Sequence, residues 1–153
     1  MLSRVAERLY WMSRYLERAE NTARLMDVYT NLLLDLPSGV NIGWYNLVTL
    51  NGAESWFDHR YRVRNERNVM RFLLADRDYP GSIVASLHRV RENIRTTRDI
   101  VPAESWEYIN ELSLFVQDNI AMGVNRGQRH AFIAAIIKAC QQFLGLFVGT
   151  MCE

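Results

Sequence analysis

Residues 2–36 read LSRVAERLYWMSRYLERAENTARLMDVYTNLLLDL, a stretch without glycine or proline. Within it Val5, Leu9, Met12, Leu16, Ala19, Ala23, Met26, Thr30 and Leu33 recur at alternating intervals of four and three, the spacing of one face of an α-helix. Such a helix extends about 50 Å at 1.5 Å per residue, and Pro37-Ser38-Gly39 is a stop signal after it. Trp11, Tyr15, Thr22 and Tyr29 widen the apolar stripe, so the helix needs more than one neighbour, while Ala19 and Ala23 leave room for a close crossing. The opposite stripe is polar: Glu7, Arg14, Glu17, Asn21 and Arg24. A long helix that must be covered from two sides belongs in a helical bundle.

The rest of the chain continues the pattern. A short helix is expected near Trp44–Leu50, and Asn65–Ala75 regains helical spacing through Val69, Phe72 and Leu73. Asp76-Arg77-Asp78-Tyr79-Pro80-Gly81 reads as a turn. Ser82 is placed to cap a helix running to about Ile100, with Ile83, Leu87, Val90 and Ile94 inward. Another helix is expected from Ala103 or Glu104 to about Met122, acidic in its first turns as the helix dipole favours, with Trp106, Ile109, Leu112 and either Phe115 or Val116 inside. Gly123 and Gly127 bracket the following turn. A last helix from about Arg129 to Val148 carries Phe132, Ile133, Ile136, Ile137, Cys140, Phe143, Leu144 and Phe147 across a broad face. No region alternates at period two, so the expected class is all-α, an antiparallel helical bundle with a long first helix in a single domain over 1–153.

Composition agrees with a folded domain: 49% of residues are hydrophobic and 23% charged, outside the disordered range. A net charge of +1 provides no global field toward nucleic acid or an acidic membrane. Lys138 is the single lysine among 18 basic residues, a bias open to two readings, codon usage and a demand for bidentate pairing, of which codon usage is the simpler. Cys140 and Cys152 are too few for a disulfide framework and fit a reducing cytoplasm. The opening residues lack a signal peptide's apolar run. Lys138, Gln141 and Gln142 interrupt the apolar segment 131–151, which therefore reads as a buried bundle helix and not a membrane span.

The candidate site residues are polar groups at helical spacing. Arg14 can reach Glu17, Glu17 can reach Asn21 and Glu20 can reach Arg24, and arginine makes forked, charge-assisted pairs with carboxylates. Glu92-Asn93 with Arg95 repeats the phrase Glu20-Asn21, and each Glu is followed seven residues later by an aspartate, Asp27 and Asp99. If the two helices pack together, the phrases could join in one interhelical network; solvated surface pairs are the simpler alternative. A di-metal centre of the ferritin type requires Glu-x-x-His pairs, which are missing; His88 and Glu92 could share a metal, but His59 and His130 have no comparable partner in the sequence, so neither metal nor cofactor is expected. Trp56 to Arg71 interleaves aromatic rings with Arg60, Arg62, Arg64 and Arg67, a composition suited to nucleic acid, offset by Asp58, Glu66, Asp76 and Asp78. No phosphate-binding glycine loop, nucleophile elbow, Cys-x-x-Cys or His-Glu-x-x-His motif occurs, and no catalytic residue is identified.

The stretch Leu2 to Arg24, together with Asn68-Val69-Met70-Arg71-Phe72-Leu73-Leu74, the Asp76-Arg77-Asp78 turn, Arg91-Glu92-Asn93 and the closing Gly149-Thr150-Met151, resembles the bacterial alpha-E family, a helical domain with a recurring Glu-Arg motif. The motif carries over to Glu7-Arg8, Glu17-Arg18, Glu20-Asn21, Arg24 and Glu92-Asn93. The resemblance implies a protein encoded beside, or fused to, an ATP-grasp ligase and taking part in peptide synthesis or modification. It implies no catalytic residues. It also implies a longer protein with a second Glu-Arg helix, of which this chain would be the amino-terminal half, its last helix left with an exposed apolar face for self-association. Three functions stay open: a non-catalytic partner or scaffold for the ligase, an enzyme using the Glu/Arg cluster for acid–base chemistry on an anionic substrate, and a weak nucleic-acid-binding module.

Overall fold

A computed structural model describes residues 2–37 and 43–151, with side chains for 3–37 and 43–147. Helix α1 spans Leu2–Asp35, as its periodicity predicts; Ser38 and Gly39 of the expected stop lie outside the described residues, as does Cys152. Buried along α1 are Met12, Leu16, Ala19, Thr22, Ala23, Met26, Tyr29 and Thr30. Short helices α2 (Tyr45–Leu50), α3 (Glu54–Arg60) and α4 (Glu66–Ala75) follow, then α5 (Ile83–Thr96), α6 (Ala103–Asp118), α7 (Ile120–Val124) and α8 (Arg126–Met151).

The bonds between helices define how they run. Arg8 meets Thr96 and Thr22 meets Gly81, so α1 and α5 are antiparallel. Thr30 meets Arg129 while Glu20 meets Gln141, so α1 and α8 are antiparallel as well. Tyr108 contacts Phe143 and Phe115 contacts Phe132, which opposes α6 to α8. With α5 packed on α6, the four long helices close a ring in the order α1, α5, α6, α8, each antiparallel to its two neighbours. Helices α2, α3, α4 and α7 gather at the end where α1 finishes and α8 begins, and α4 is the hub there, packing on α1, α2, α5 and α7.

Four departures from the expected elements have local causes. Helix α5 stops at Thr96, not Ile100: Thr97 turns its hydroxyl back to the Asn93 carbonyl at 2.8 Å, a bond that competes with helix continuation. Helix α6 breaks at Asn119, whose side-chain amide donates to the Phe115 carbonyl at 2.8 Å, leaving α7 as a separate turn. Helix α3 was not expected; seven residues with Phe57 as the sole buried member are too few to show a period. Helix α8 starts at Arg126, three residues early, with the Asn125 side chain accepting from the Gly127 N–H at 3.0 Å.

The turn before α5 is built as anticipated. Asp76 Oδ1 accepts from the backbone of Asp78 and Tyr79 at 2.9 and 2.8 Å, and Ser82 accepts from the Ala85 N–H at 3.1 Å while donating to the Asp76 carbonyl. Gly81 leaves room for the Tyr79 ring: a Cβ there would press on the end of that side chain and make it shift. Thr22 on α1 donates to the Gly81 carbonyl at 3.1 Å, tying the long helix to the turn.

Helix α8 is the described helix long and apolar enough to cross a membrane, with mean hydropathy 1.4 over Arg126–Phe147. Its large side chains, Phe132, Ile133, Ile136, Phe143 and Phe147, are buried with α1, α6 and α7. From Ala131 to Phe147 its outward residues are Ala131, Ala134, Ala135, Lys138, Gln141, Gln142 and Gly145. The large apolar residues of this helix are covered on two sides by the ring of helices, and the exposed remainder from Ala131 to Phe147 is made of small and polar side chains. Large exposed apolar side chains are concentrated on α1, at Tyr10, Trp11, Leu25, Val28, Leu32 and Leu34.

Candidate functional site

The predicted Glu-Arg-Asn residues fold onto two separate places. On α1, Arg14 pairs with Glu17 at 3.3 Å, both side chains more than half exposed, and Asn21 follows on the same outward face. Glu20 turns the other way, toward α8: its Oε1 accepts from Arg24 at 2.9 Å and from Gln141 at 3.2 Å, leaving its side chain 12% exposed. Asp27, two turns further on, meets His130 Nδ1 at 3.0 Å. On α5, Glu92 pairs with Arg95 at 3.1 Å in the open, and the Asn93 carbonyl caps the Thr96 and Thr97 hydroxyls.

The two phrases do not form one network. Among the described residues no hydrogen bond or ion pair joins Glu20-Asn21-Arg24 to Glu92-Asn93-Arg95. The reason is angular: α5 packs on the side of α1 that carries Thr22, and two residues are roughly 200° of helix rotation, which sends Glu20 to α8. The matching Asp99 lies beyond the end of α5, so Glu92 and Asp99 share no helical stripe.

The outward face of α1 is continuous. Glu7, Tyr10, Trp11, Arg14, Glu17, Arg18, Asn21, Leu25, Val28 and Leu32 all face solvent, with Tyr10 57%, Val28 62% and Leu32 47% exposed. Aromatic groups stand at one end, with Trp11 stacked on Tyr15, aliphatic groups at the other, and the polar motif between.

The strongest polar network is one the sequence reading did not name. Arg129 is a fully buried arginine, 1% exposed. Its Nε donates to the Gly123 carbonyl at 2.7 Å, one terminal nitrogen to Thr30 Oγ1 at 2.8 Å, and the other to the Val124 carbonyl and to Glu66 Oε2, both at 2.9 Å. Glu66 also takes a two-pronged contact from Arg126. Burial alone would raise the Glu66 pKa, but the hydrogen bonds from Arg126 and Arg129 more than offset it and hold the carboxyl below its ordinary value. For Arg129 burial prevails: its guanidinium is pulled below its usual value although Glu66 works against this. Glu66 gains from two arginines, whereas Arg129 is more deeply buried and has one carboxylate to set against that burial.

A second cluster closes the turn. Arg60 Nε is 2.7 Å from Asp76 Oδ2 and also engages Asp78. The Asp76 contact is off the line of a hydrogen bond and acts as an ion pair. Phe57 packs among Tyr45, Tyr61 and Phe72, and Arg64 lies 3.8 Å over the Tyr45 ring while reaching Asp58. Much of the aromatic and arginine stretch is thus internally paired. Among the described residues no group of three or more His, Cys, Asp or Glu side chains is arranged to hold a metal ion. Cys140 is a buried thiol pushed up to about 12 by burial, with Glu20 adding to the effect.

An all-helical domain with Glu-Arg dipeptides at 7–8, 17–18 and 66–67, one of them drawn into a buried network, defines the class of protein. The chain belongs to the Alpha-E family, described as a predicted alpha-helical domain with a conserved ER motif, which matches residues 1–153. It is similar to Uncharacterized protein Mb2597 of Mycobacterium bovis and Uncharacterized protein MT2643 of Mycobacterium tuberculosis, each 30% identical over 120 residues. The match covers 67% of this chain and 13% of the length of each of those proteins. No solved structure matches the chain.

Proposed function

We propose that this domain is a non-catalytic helical partner or scaffold for an ATP-grasp ligase that makes or modifies peptides, working in a reducing cytoplasm. The observation that carries the reading is the outward face of α1, where Leu25, Val28 and Leu32 stand exposed at helical spacing beside Arg14, Glu17 and Asn21. Tyr10 and Trp11, exposed on the same helix beside Arg14, are the residue types enriched at the energetic centres of protein interfaces, and Leu25, Val28 and Leu32 extend the apolar area around them. Burying Val28 and Leu32 against a partner removes apolar surface from water at about 25 cal/mol per Å². The ligase as partner class comes from the family resemblance.

The test is co-expression of the full chain with the adjacent ATP-grasp ligase, followed by size exclusion. Wild type co-elutes with the ligase, Val28→Asp and Leu32→Asp abolish co-elution, and Leu114→Asp, an exposed apolar site on α6, leaves it intact. Failure of wild type to co-elute, or equal loss with Leu114→Asp, overturns the proposal. Glu20→Gln addresses the acid–base enzyme: it removes the one carboxylate of the motif that is largely covered, and loss of ligase turnover without loss of association would favour that reading instead.

A further inference from the structure

Between α4 and the junction of α7 with α8 lies a cleft of about 510 Å³, within the size range of small-molecule sites. Arg67 and Arg71 reach it from α4, Arg126 from the start of α8, and Asn65 and Asn125 flank it. Glu66 is the one acid in the lining, and it is already held by Arg126 and Arg129. Four arginines against one glutamate leave three surplus positive charges at this place, in a chain whose total is +1.

This concentration goes against local preference twice. Arg67 and Arg71 are like charges four residues apart on one helix, an arrangement that weakens the helix by a few tenths of a kcal/mol. Helix α8 has no acid in its first turn and begins with Arg126, although cations are disfavoured at the positive end of the helix dipole. Arg126 is offset by its pair with Glu66, whereas Arg67 and Arg71 have no ion-pair partner among the described residues, and uncompensated departures from local rules are expected at functional sites. Arg67 and Arg71 are exposed, so neither is needed to fill the core.

We propose that this cleft binds a small polyanion of the pyrophosphate class. Guanidinium groups grip phosphoryl oxygens in two-pronged fashion, and three of them converge here with two side-chain amides. The described lining holds no aromatic ring, so it grips charge and has no platform for stacking bases, which distinguishes it from a surface for single-stranded nucleic acid. None of the residues lining the cleft lies on α1, and its test is independent of ligase docking.

The experiment is isothermal titration of the full chain with pyrophosphate, orthophosphate and a short single-stranded oligodeoxynucleotide, on wild type, Arg67→Ala, Arg71→Ala and Arg62→Ala. Arg62 is exposed outside the cleft, so its loss changes net charge equally. Thermal melts confirm that each variant folds. Saturable one-to-one pyrophosphate binding is expected, weakened about tenfold or more by Arg67→Ala or Arg71→Ala, within twofold of wild type in Arg62→Ala, and tighter than orthophosphate. Absence of saturable binding at millimolar pyrophosphate, equal weakening by Arg62→Ala, or preference for the oligonucleotide would each overturn the proposal.

Discussion

Replacing Arg129 by methionine keeps an unbranched apolar stem in the core and removes every polar contact of the guanidinium. The change leaves the Gly123 and Val124 carbonyls without that donor, releases Thr30, whose hydroxyl still donates to the Met26 carbonyl at 2.7 Å, and takes one of two arginines from Glu66. Removing one partner of a buried ion pair costs about 3–5 kcal/mol. Glu66 keeps Arg126 and is 21% exposed, which places the expected loss at about 3–4 kcal/mol. For a domain of this size each kcal/mol lowers Tm by about 2–4 °C, so a fall of roughly 6–16 °C is expected. Urea unfolding followed at 222 nm measures the loss directly, with an unchanged slope showing that the two states keep their compactness. Arg126→Met is the control: this guanidinium is 48% exposed, and its pair with Glu66 is worth less than about 1 kcal/mol. If Arg129→Met cost no more than Arg126→Met, the network would not hold the capped end together.

The same network has a pH signature. Glu66 is held below its ordinary carboxyl value in the folded state, so its contribution to stability is complete above the unfolded value and disappears as pH falls through the folded one; Glu66→Gln should flatten the acid limb of the stability curve below about pH 4.5. A parallel acid limb in wild type and variant would contradict this. The Cys140 thiol, pushed up to about 12, should be inert to a disulfide reagent at neutral pH in a Cys152→Ser background and react at the rate of unfolding. Fast labelling under native conditions would show that the site opens without unfolding.

The long elements were legible because their apolar positions repeat over many turns: α1 supplies nine such positions and the structure buries most of them. Caps were legible where the chemistry is local, as at Ser82 and the Asp76 turn. What the sequence hid was angular and long-range. Glu20 and Thr22 look adjacent in the chain but face α8 and α5 respectively. Arg129 could have been noticed, since it occupies the same phase as Phe132, Ile133, Ile136 and Cys140; an arginine in a core stripe signals a buried pair. Its partner, 63 positions earlier by residue number, is set by tertiary packing alone.

The seam between α1 and α8 joins residues very distant along the chain: Thr30 with Arg129, Asp27 with His130 and Glu20 with Gln141, at separations of 99, 103 and 121. Closing such loops costs entropy before any contact rewards it, and contacts of this range slow folding relative to local helical hairpins. The seam is therefore a late-forming clasp on a bundle whose α5–α6–α8 part is more local, and interactions absent from a folding transition state act chiefly on the unfolding rate. The polar residues of the first helix that meet α8 set how long the folded domain lasts more than how quickly it forms.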